Sequence, residues 1–216
     1  MQHEANAIIF DLDGTLIDSR ADLTTAVNLT RRGFGLEPLP LETVAKFVGE
    51  GLRNLISRAW PDAGDRLDAA VEQARRHYGQ HLLDETVLYP GVETAVRGLH
   101  AAGWKLGVVT NKPQEFSDEI LRGFGLHGCF SMVIGGGSGL PMKPDPAPLL
   151  AVLERCGVKA SPDSWMAGDH FTDLEAGRRA GLSRCYCRFG FGDPRDEAYD
   201  LAVDSLPEFV EHLQTR

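Results

Sequence analysis

The chain has 216 residues, 43% of them hydrophobic and 25% charged, with a formal net charge of −9 and a pI near 5.2. That suits one large globular domain, or a domain carrying a smaller insert, with a core that needs no disulfide or structural metal. The acidic balance argues against a nucleic-acid or anionic-membrane partner, and no apolar run approaches the ~20 residues of a membrane helix.

The N-terminus shows no basic stretch followed by a long apolar one, so no signal peptide is expected. The four cysteines are Cys129, Cys156, Cys185 and Cys187. Cys185 and Cys187 alternate in "CYCRF" and would share one strand face, which is not the C-x-x-C spacing of a zinc pair. Reduced core thiols in a cytoplasmic protein are expected.

The first predicted element is the strand "AIIF", Ala7 to Phe10, whose continuous apolar run suits a strand buried on both faces. It runs straight into Asp11 and Asp13. From about Arg20 to Asp84 the spacing is helical. "RADLTTAVNLTRRGFG" carries Leu23, Val27 and Phe34 on one face. "LETVAKFVGEGLRNLISRAW" is helical on either side of a break at Gly49 and Gly51. "DRLDAAVEQARRHYGQHLL" has Leu67, Val71 and Ala74 on a stripe. The expected division is a core of residues 1–16 and 87–216 with a helical insert, 17–86.

After Val87 helix and strand alternate. "GVETAVRGLHAAG" leads to the strand "KLGVVT", and "PQEFSDEILRGFG" to "SMVIGG". "DPAPLLAVLERCG", with Asp145 as N-cap and Pro146 at its first position, leads to "SWMAG". "TDLEAGRRAG" opens with Thr172 and Glu175 in capping-box spacing, ends at Gly181, and precedes "RCYCRFG". A short strand "LAVDS" and the helix "LPEFVEHLQ" close the chain. This alternation predicts an α/β fold: a parallel, Rossmann-like sheet with helices on both faces.

Ligands of open α/β sheets bind beyond the carboxyl ends of the strands. Those ends carry Asp11 and Asp13, Thr110 and Asn111, Lys143 on a following loop, and Asp169 with Asp173 one helical turn later. Each has an ordinary explanation alone. Asp13-Gly14 makes a turn, Asp173 suits a helix N-terminus, and a single lysine is usually solvated. On one rim, however, several acids repel unless a cation compensates. An all-oxygen site suits a hard ion, and Mg²⁺ typically shares itself between one or two carboxylates and a phosphate. That combination suggests phosphoryl transfer. One carboxylate attacks phosphorus while another acid moves protons, and lysine and metal neutralise charge.

Other motifs fit less well. "DLDGTLIDSRAD" has acids at calcium-loop positions, but its glycine falls at position four and a strand precedes it. "GGGSGL" lacks the Gly-Lys-Ser/Thr of a P-loop. His170 follows Asp169 and is a candidate for an extra ligand.

"DLDGTLIDS", "VVTNKP", "MKPDPAPLL" and "AGDHFTDLEAGRRAG" resemble, in order and spacing, the four motifs of the haloacid dehalogenase-like phosphatase superfamily. The resemblance covers nearly the whole chain. The helical insert is similar to the small type 1 cap of that superfamily, and "TNKP", "VIGGG", "KPDPAPLL" and "FVGEGLRNLI" look most like phosphoglycolate phosphatases.

The resemblance implies that Asp11 is the nucleophile and Asp13 the general acid and base. Thr110 and Asn111 would bind the phosphoryl group, and Lys143 would steady both nucleophile and phosphate. Asp169 would bind Mg²⁺ with Asp11 and the backbone carbonyl of Asp13, supported by Asp173, while Gly14 and Thr15 shape the turn. His170 departs from the small residue often found there. Asp13 also favours a phosphate leaving group, since dehalogenases lack an acid at this position.

The expected activity is Mg²⁺-dependent hydrolysis of a small phosphorylated metabolite, 2-phosphoglycolate first, by a monomer or homodimer. Sugar-phosphate phosphatase, pyrophosphatase and phosphomutase are alternatives on the same scaffold. Gly49 and Gly51 would let the insert approach the substrate, and Arg53 and Arg20 would meet a substrate carboxylate. A phosphoacceptor that does not hydrolyse its phosphate fits less well, because a second acid stands two residues from the first.

Overall fold

The structure is a computed structural model and describes residues 6–215. Residues 1–5 and 216, which the expected core includes, lie outside the described residues.

Strand β1 (Ala7–Phe10) is buried along its whole length. Its side chains alternate between two cores: Ile8 and Phe10 enter one apolar cluster, Ala7 and Ile9 the other. Fully burying a large apolar side chain is worth roughly 1.5–3 kcal/mol. The two cores therefore fix the strand, and with it the position of the aspartate that follows.

On either side of β1 lie β4 (Lys105–Pro113) and β6 (Trp165–Gly168), both parallel to it. β5 (Met132–Gly136) extends the sheet beyond β4. β7 (Ser183–Cys187) and β8 (Leu201–Val203) extend it beyond β6. The order is β5-β4-β1-β6-β7-β8, and every pairing is parallel. Helices α5 (Val92–Ala101), α6 (Gln114–Gly123) and α9 (Leu206–Gln214) cover the face of Ile8 and Phe10. α7 (Ala147–Cys156) and α8 (Phe171–Ala180) cover the face of Ala7 and Ile9. The chain moves outward on one side of β1 and then returns to the other, which makes β1 the switch point of the sheet. Cys185 and Cys187 point into one core as free thiols, as their alternation predicts.

Between β2 (Ile17–Asp18) and β3 (Val87–Leu88) the chain forms α1 (Arg20–Gly33), α2 (Leu41–Ala45), α3 (Leu52–Ala59) and α4 (Leu67–Gln80). β2 and β3 pair antiparallel, so the chain enters and leaves these helices side by side. The helices share an apolar cluster that includes Val27, Val44, Ile56 and Trp60.

The stripe of α4 differs from expectation. Leu67 and Val71 are only half-buried, and Ala70, Ala74 and Tyr78 form the buried line. α4 packs closely on α1; Ala70 and Ala74, four apart, join Val27 of α1 in one apolar cluster, and Tyr78 one turn further on enters the core under the sheet.

Asp22 fastens the start of α1 to the exit segment. Its buried carboxylate accepts the Thr86 N–H at 2.8 Å, the Thr86 hydroxyl at 2.7 Å and the Glu85 N–H at 3.0 Å. Asp22→Ala should therefore cost about 2–4 kcal/mol in urea unfolding, because it leaves several donors without an acceptor. An unchanged unfolding midpoint would show that this clip carries no stability.

Candidate active site

Four chain segments meet at the carboxyl ends of β1, β4 and β6. Asp11 continues the β1 ladder by donating its N–H to the Ala167 carbonyl at 2.9 Å. Lys143 reaches in from the loop before α7. Its ammonium, 1% exposed as a side chain, lies 2.9 Å from Asp11 Oδ1 and 2.6 Å from Asp173 Oδ1. The contact with Asp11 lacks hydrogen-bond geometry, and Asp11 Oδ1 is a buried oxygen without a hydrogen-bond partner among the described residues.

Asp11, Asp169 and Asp173 each offer a carboxylate oxygen within 4.8 Å of the others, and all three are buried. Burial, reinforced by repulsion from Asp173, pushes the Asp11 carboxyl up to about 6 against the pull of Lys143. Burial, then repulsion from Asp173 and Asp11, raises Asp169 well above the usual carboxylate range, opposed by two backbone N–H groups. Three buried carboxylates facing one ammonium leave a negative excess that a divalent cation would balance. The all-oxygen donor set fits a hard ion such as Mg²⁺, and Asp11 Oδ1, held by its ion pair with Lys143 and by no hydrogen bond, has a lone pair to offer it.

Asp13 stands apart from that trio. Its carboxylate accepts from the Lys112 ammonium at 2.8 and 3.1 Å, and from the Ser19 hydroxyl. The Thr110 hydroxyl accepts the Lys112 N–H at 3.3 Å. The Asn111 side chain is fully engaged. Its amide nitrogen donates to the carbonyls of Gly49 and Lys143 at 2.9 and 3.0 Å, and its oxygen accepts the Lys143 N–H at 2.9 Å. Asn111 thus ties the strand end to the Lys143 loop and to the inserted helices, which leaves its side chain no donor for a phosphoryl group.

The cap of α8 also differs from expectation. The capping pair is His170 with Asp173, not Thr172 with Glu175. The Thr172 N–H donates to His170 Nδ1 at 3.4 Å, and Asp173 Oδ2 accepts the His170 N–H at 3.0 Å. The helix starts two residues earlier than Thr172 would set it, because Asp173 reaches the orphan donor of His170. α7 shows a smaller shift: Pro146 is its N-cap, and Asp145 accepts the Ala147 N–H at 2.9 Å. Burial pushes His170 down to about 4, so its ring is neutral at pH 7, and it packs against Gly49.

Two predicted residues are not brought to the site. Arg53 is 62% exposed and pairs with Asp68 at 2.6 Å. Arg20 pairs with Asp18 at 2.7 Å and lies over the Phe191 ring. Each has a local acid that satisfies its guanidinium, and neither lines the cavity above Asp11.

Other contributors escape the sequence motifs. Lys112 lies inside "VVTNKP" but gives no sign of its partner. The backbone N–H groups of Phe191 and Gly192 donate to Asp169 Oδ2 at 3.0 and 2.7 Å. The only sequence signal for that loop is the repeated Phe-Gly after "RCYCR". The cavity over the rim encloses about 40 Å³, room for a few waters at most. Asp11, Asp13, Thr110 and Lys112 form its floor, and Leu23, Val48, Leu52 and Leu55 of the inserted segment contribute its apolar wall.

The haloacid dehalogenase-like hydrolase family matches residues 8–187 of this chain. A phosphoglycolate phosphatase of Psychrobacter arcticus is 39% identical over 218 aligned positions, which cover 95% of this chain and 94% of the relative. One from Nitrosospira multiformis is 37% identical over 208, covering 93% and 90%. Among solved structures, one from Haemophilus somnus, described as a predicted phosphoglycolate phosphatase, superposes with a TM-score of 0.91. It is 28% identical, and the match covers 98% of this chain and 99% of that one. A predicted phosphatase from Clostridium acetobutylicum gives 0.87 at 25% identity, covering 99% and 100%.

Proposed function

The chain belongs to the haloacid dehalogenase-like hydrolases, and within that family we propose that it is a Mg²⁺-dependent phosphatase of a small phosphomonoester, with 2-phosphoglycolate as the first candidate. Its relatives carry the name phosphoglycolate phosphatase, and a phosphoric monoester hydrolase follows from them. The observation that carries the mechanism is the unlike setting of two acids on one short turn. Asp11 meets Lys143 through an ion pair at Oδ1 without a hydrogen bond, while Asp13 is clamped by hydrogen bonds from Lys112 and Ser19.

Asp11 attacks phosphorus, forming an Oδ–P bond as the ester P–O bond breaks. Asp13 gives its proton to the departing ester oxygen, so the product leaves as an alcohol. Asp13 then takes a proton from water, whose oxygen displaces Asp11 and releases inorganic phosphate. Lys143 holds the Asp11 carboxylate and offers its charge to the phosphoryl oxygens. Thr110 supplies a hydroxyl donor to the same group. Mg²⁺, held by Asp11, Asp169 and the Asp13 carbonyl with Asp173 behind, would neutralise charge on the transferring phosphoryl group.

The small cavity and its apolar wall support a small substrate and a lid role for the inserted helices, which must withdraw to admit any ester. Four free thiols support a cytoplasmic setting. No helix among the described residues is long and apolar enough to cross a membrane.

A panel of phosphorylated metabolites tests the substrate, with Asp11→Asn as the blank. We expect 2-phosphoglycolate to give the highest kcat/KM, EDTA to abolish turnover, and Mg²⁺ to restore it where Ca²⁺ does not. Preference for a sugar phosphate or for pyrophosphate would replace the substrate assignment. Full turnover in EDTA would remove the metal.

A further inference from the structure

We propose that Lys112 is the positioning residue of Asp13, fixed from its far side by Tyr78 of the inserted helix α4. The proposal rests on the reading of Asp13 as the acid and base of the reaction. Lys112 stands on β4, and its side chain is 2% exposed. A buried ammonium needs paired acceptors, and this one has three contacts: both Asp13 oxygens, and the Tyr78 hydroxyl. Those use all three of its donors. Lys112 therefore has none left for a substrate, whereas Lys143 faces the group that would be phosphorylated.

Asp13 needs such a clamp. It stands at the start of the turn through Gly14 rather than in a strand of the main sheet, and its carboxylate is outside the trio of acids. An acid that protonates a leaving oxygen must stand within hydrogen-bond reach of it, in one rotamer. Contact at both oxygens by Lys112, with Ser19 on one of them, removes rotation of the carboxylate. Tyr78 holds the lysine in turn. Its ring lies 4.5 Å from Nζ and packs edge-on against Phe116 with centroids 5.3 Å apart. The three residues form a chain of side-chain links from the inserted helix to the acid, and Asp11, Asp169 and Asp173 are not among those links.

The test compares two esters in Mg²⁺ buffer: an alkyl phosphate, whose leaving oxygen needs a proton, and p-nitrophenyl phosphate, whose leaving oxygen does not. Lys112→Met should lower kcat/KM about 100-fold on the alkyl ester and under about 5-fold on the aryl ester, the share due to an acid out of place. Lys112→Arg should recover most of the alkyl-ester loss. Tyr78→Phe, which keeps the ring packing, should show the same selectivity at about 3- to 10-fold. The inhibition constant of inorganic phosphate should stay within about twofold throughout, since Lys112 does not bind the phosphoryl group.

In an Asp13→Asn background, Lys112→Met should cost nothing further. Equal losses on both esters, or weakened phosphate inhibition, would overturn the proposal, as would an additive loss in that background. If Lys112→Met does not fold, Tyr78→Phe without ester selectivity overturns it as well. Asp13→Asn with undiminished alkyl-ester turnover would instead remove the acid–base reading itself, and Lys112 with it.

Discussion

Asp11→Asn should abolish phosphate-ester hydrolysis while making the metal-free protein more stable above pH 6. The loss is about 10,000-fold or more, because an amide neither attacks phosphorus nor forms the acyl-phosphate. The stability gain follows from the charge imbalance of the site. Asp11, Asp169 and Asp173 share one ammonium, Lys143, in a buried space. Asp11 titrates near 6 in the folded chain against 3.8 when exposed, with burial as the largest cause and Asp173 next.

A raised carboxyl pKa means that the folded state takes up the proton more readily than the unfolded state. Its cost is therefore absent below pH 3.8, grows as pH rises, and is complete above about 6. The asparagine carries no such cost. In EDTA at pH 8 the variant should exceed the wild type by about 3 kcal/mol in urea unfolding, and the gap should close by pH 4. Added Mg²⁺ should raise the thermal midpoint of the wild type and close the gap from the other side. A variant less stable than wild type in EDTA at pH 8 would contradict this account of the site, as would residual turnover within a factor of about 100.

Much of the fold is legible in the residues, for physical reasons that can be named. Parallel strands buried on both faces must be continuous apolar runs, and "AIIF" is one. A helix that must stop meets a glycine in the left-handed conformation, as α7 does at Gly157 and α8 at Gly181. The rim was legible because a strand end is a place that chain order alone can locate. Asp11 and Asp169 each follow a readable strand and Thr110 ends one, and the parallel pairing of β1 with β4 and β6 gathers them.

What escaped depends on separations that periodicity does not encode. Lys112 meets Tyr78 across 34 positions, and Asp169 meets Gly192 across 23. The arginines show the converse. Arg53 and Arg20 are chemically suited to a carboxylate, and each has one of its own nearby, Asp68 and Asp18. Residue type indicates what a side chain can bind; only packing decides which partner it has. The His170 cap is a third case, since histidine is a poor sign of a helix start and Asp173 completes the cap only because it lies one turn along.

Gly14→Ala should remove most activity, and the reason lies in how tightly Asp169 is enclosed. A Cβ on Gly14 would stand 1.9 Å from Asp169 Oδ2 and 2.5 Å from its Cγ, at a backbone φ of +80°. Gly190 closes the other side. A Cβ there would stand 2.3 Å from the Gly14 carbonyl oxygen and 2.5 Å from Asp169 Oδ2. The carboxylate also cannot retreat without losing the N–H groups of Phe191 and Gly192. Either alanine therefore has to displace the acid or the turn carrying Asp11 and Asp13.

We expect each alanine to lower kcat/KM about 100-fold or more, since a displacement of 1 Å at a reacting site costs on that order. Each should also raise the Mg²⁺ concentration needed for half-maximal activity. The left-handed φ alone costs about 1–2 kcal/mol, so a control must separate strain from collision. Gly157, at φ +68° with nothing within 4 Å of an added Cβ, supplies it. Gly157→Ala should lose comparable stability from strain and keep its kcat/KM and metal requirement. If Gly14→Ala and Gly157→Ala behave alike in activity, the collision with Asp169 is relieved without cost and the glycine serves only the turn. If they differ as expected, the first acidic turn and the Phe-Gly loop act as the two jaws that aim Asp169, and the spacing of "DLDG" answers to a residue more than 150 positions away.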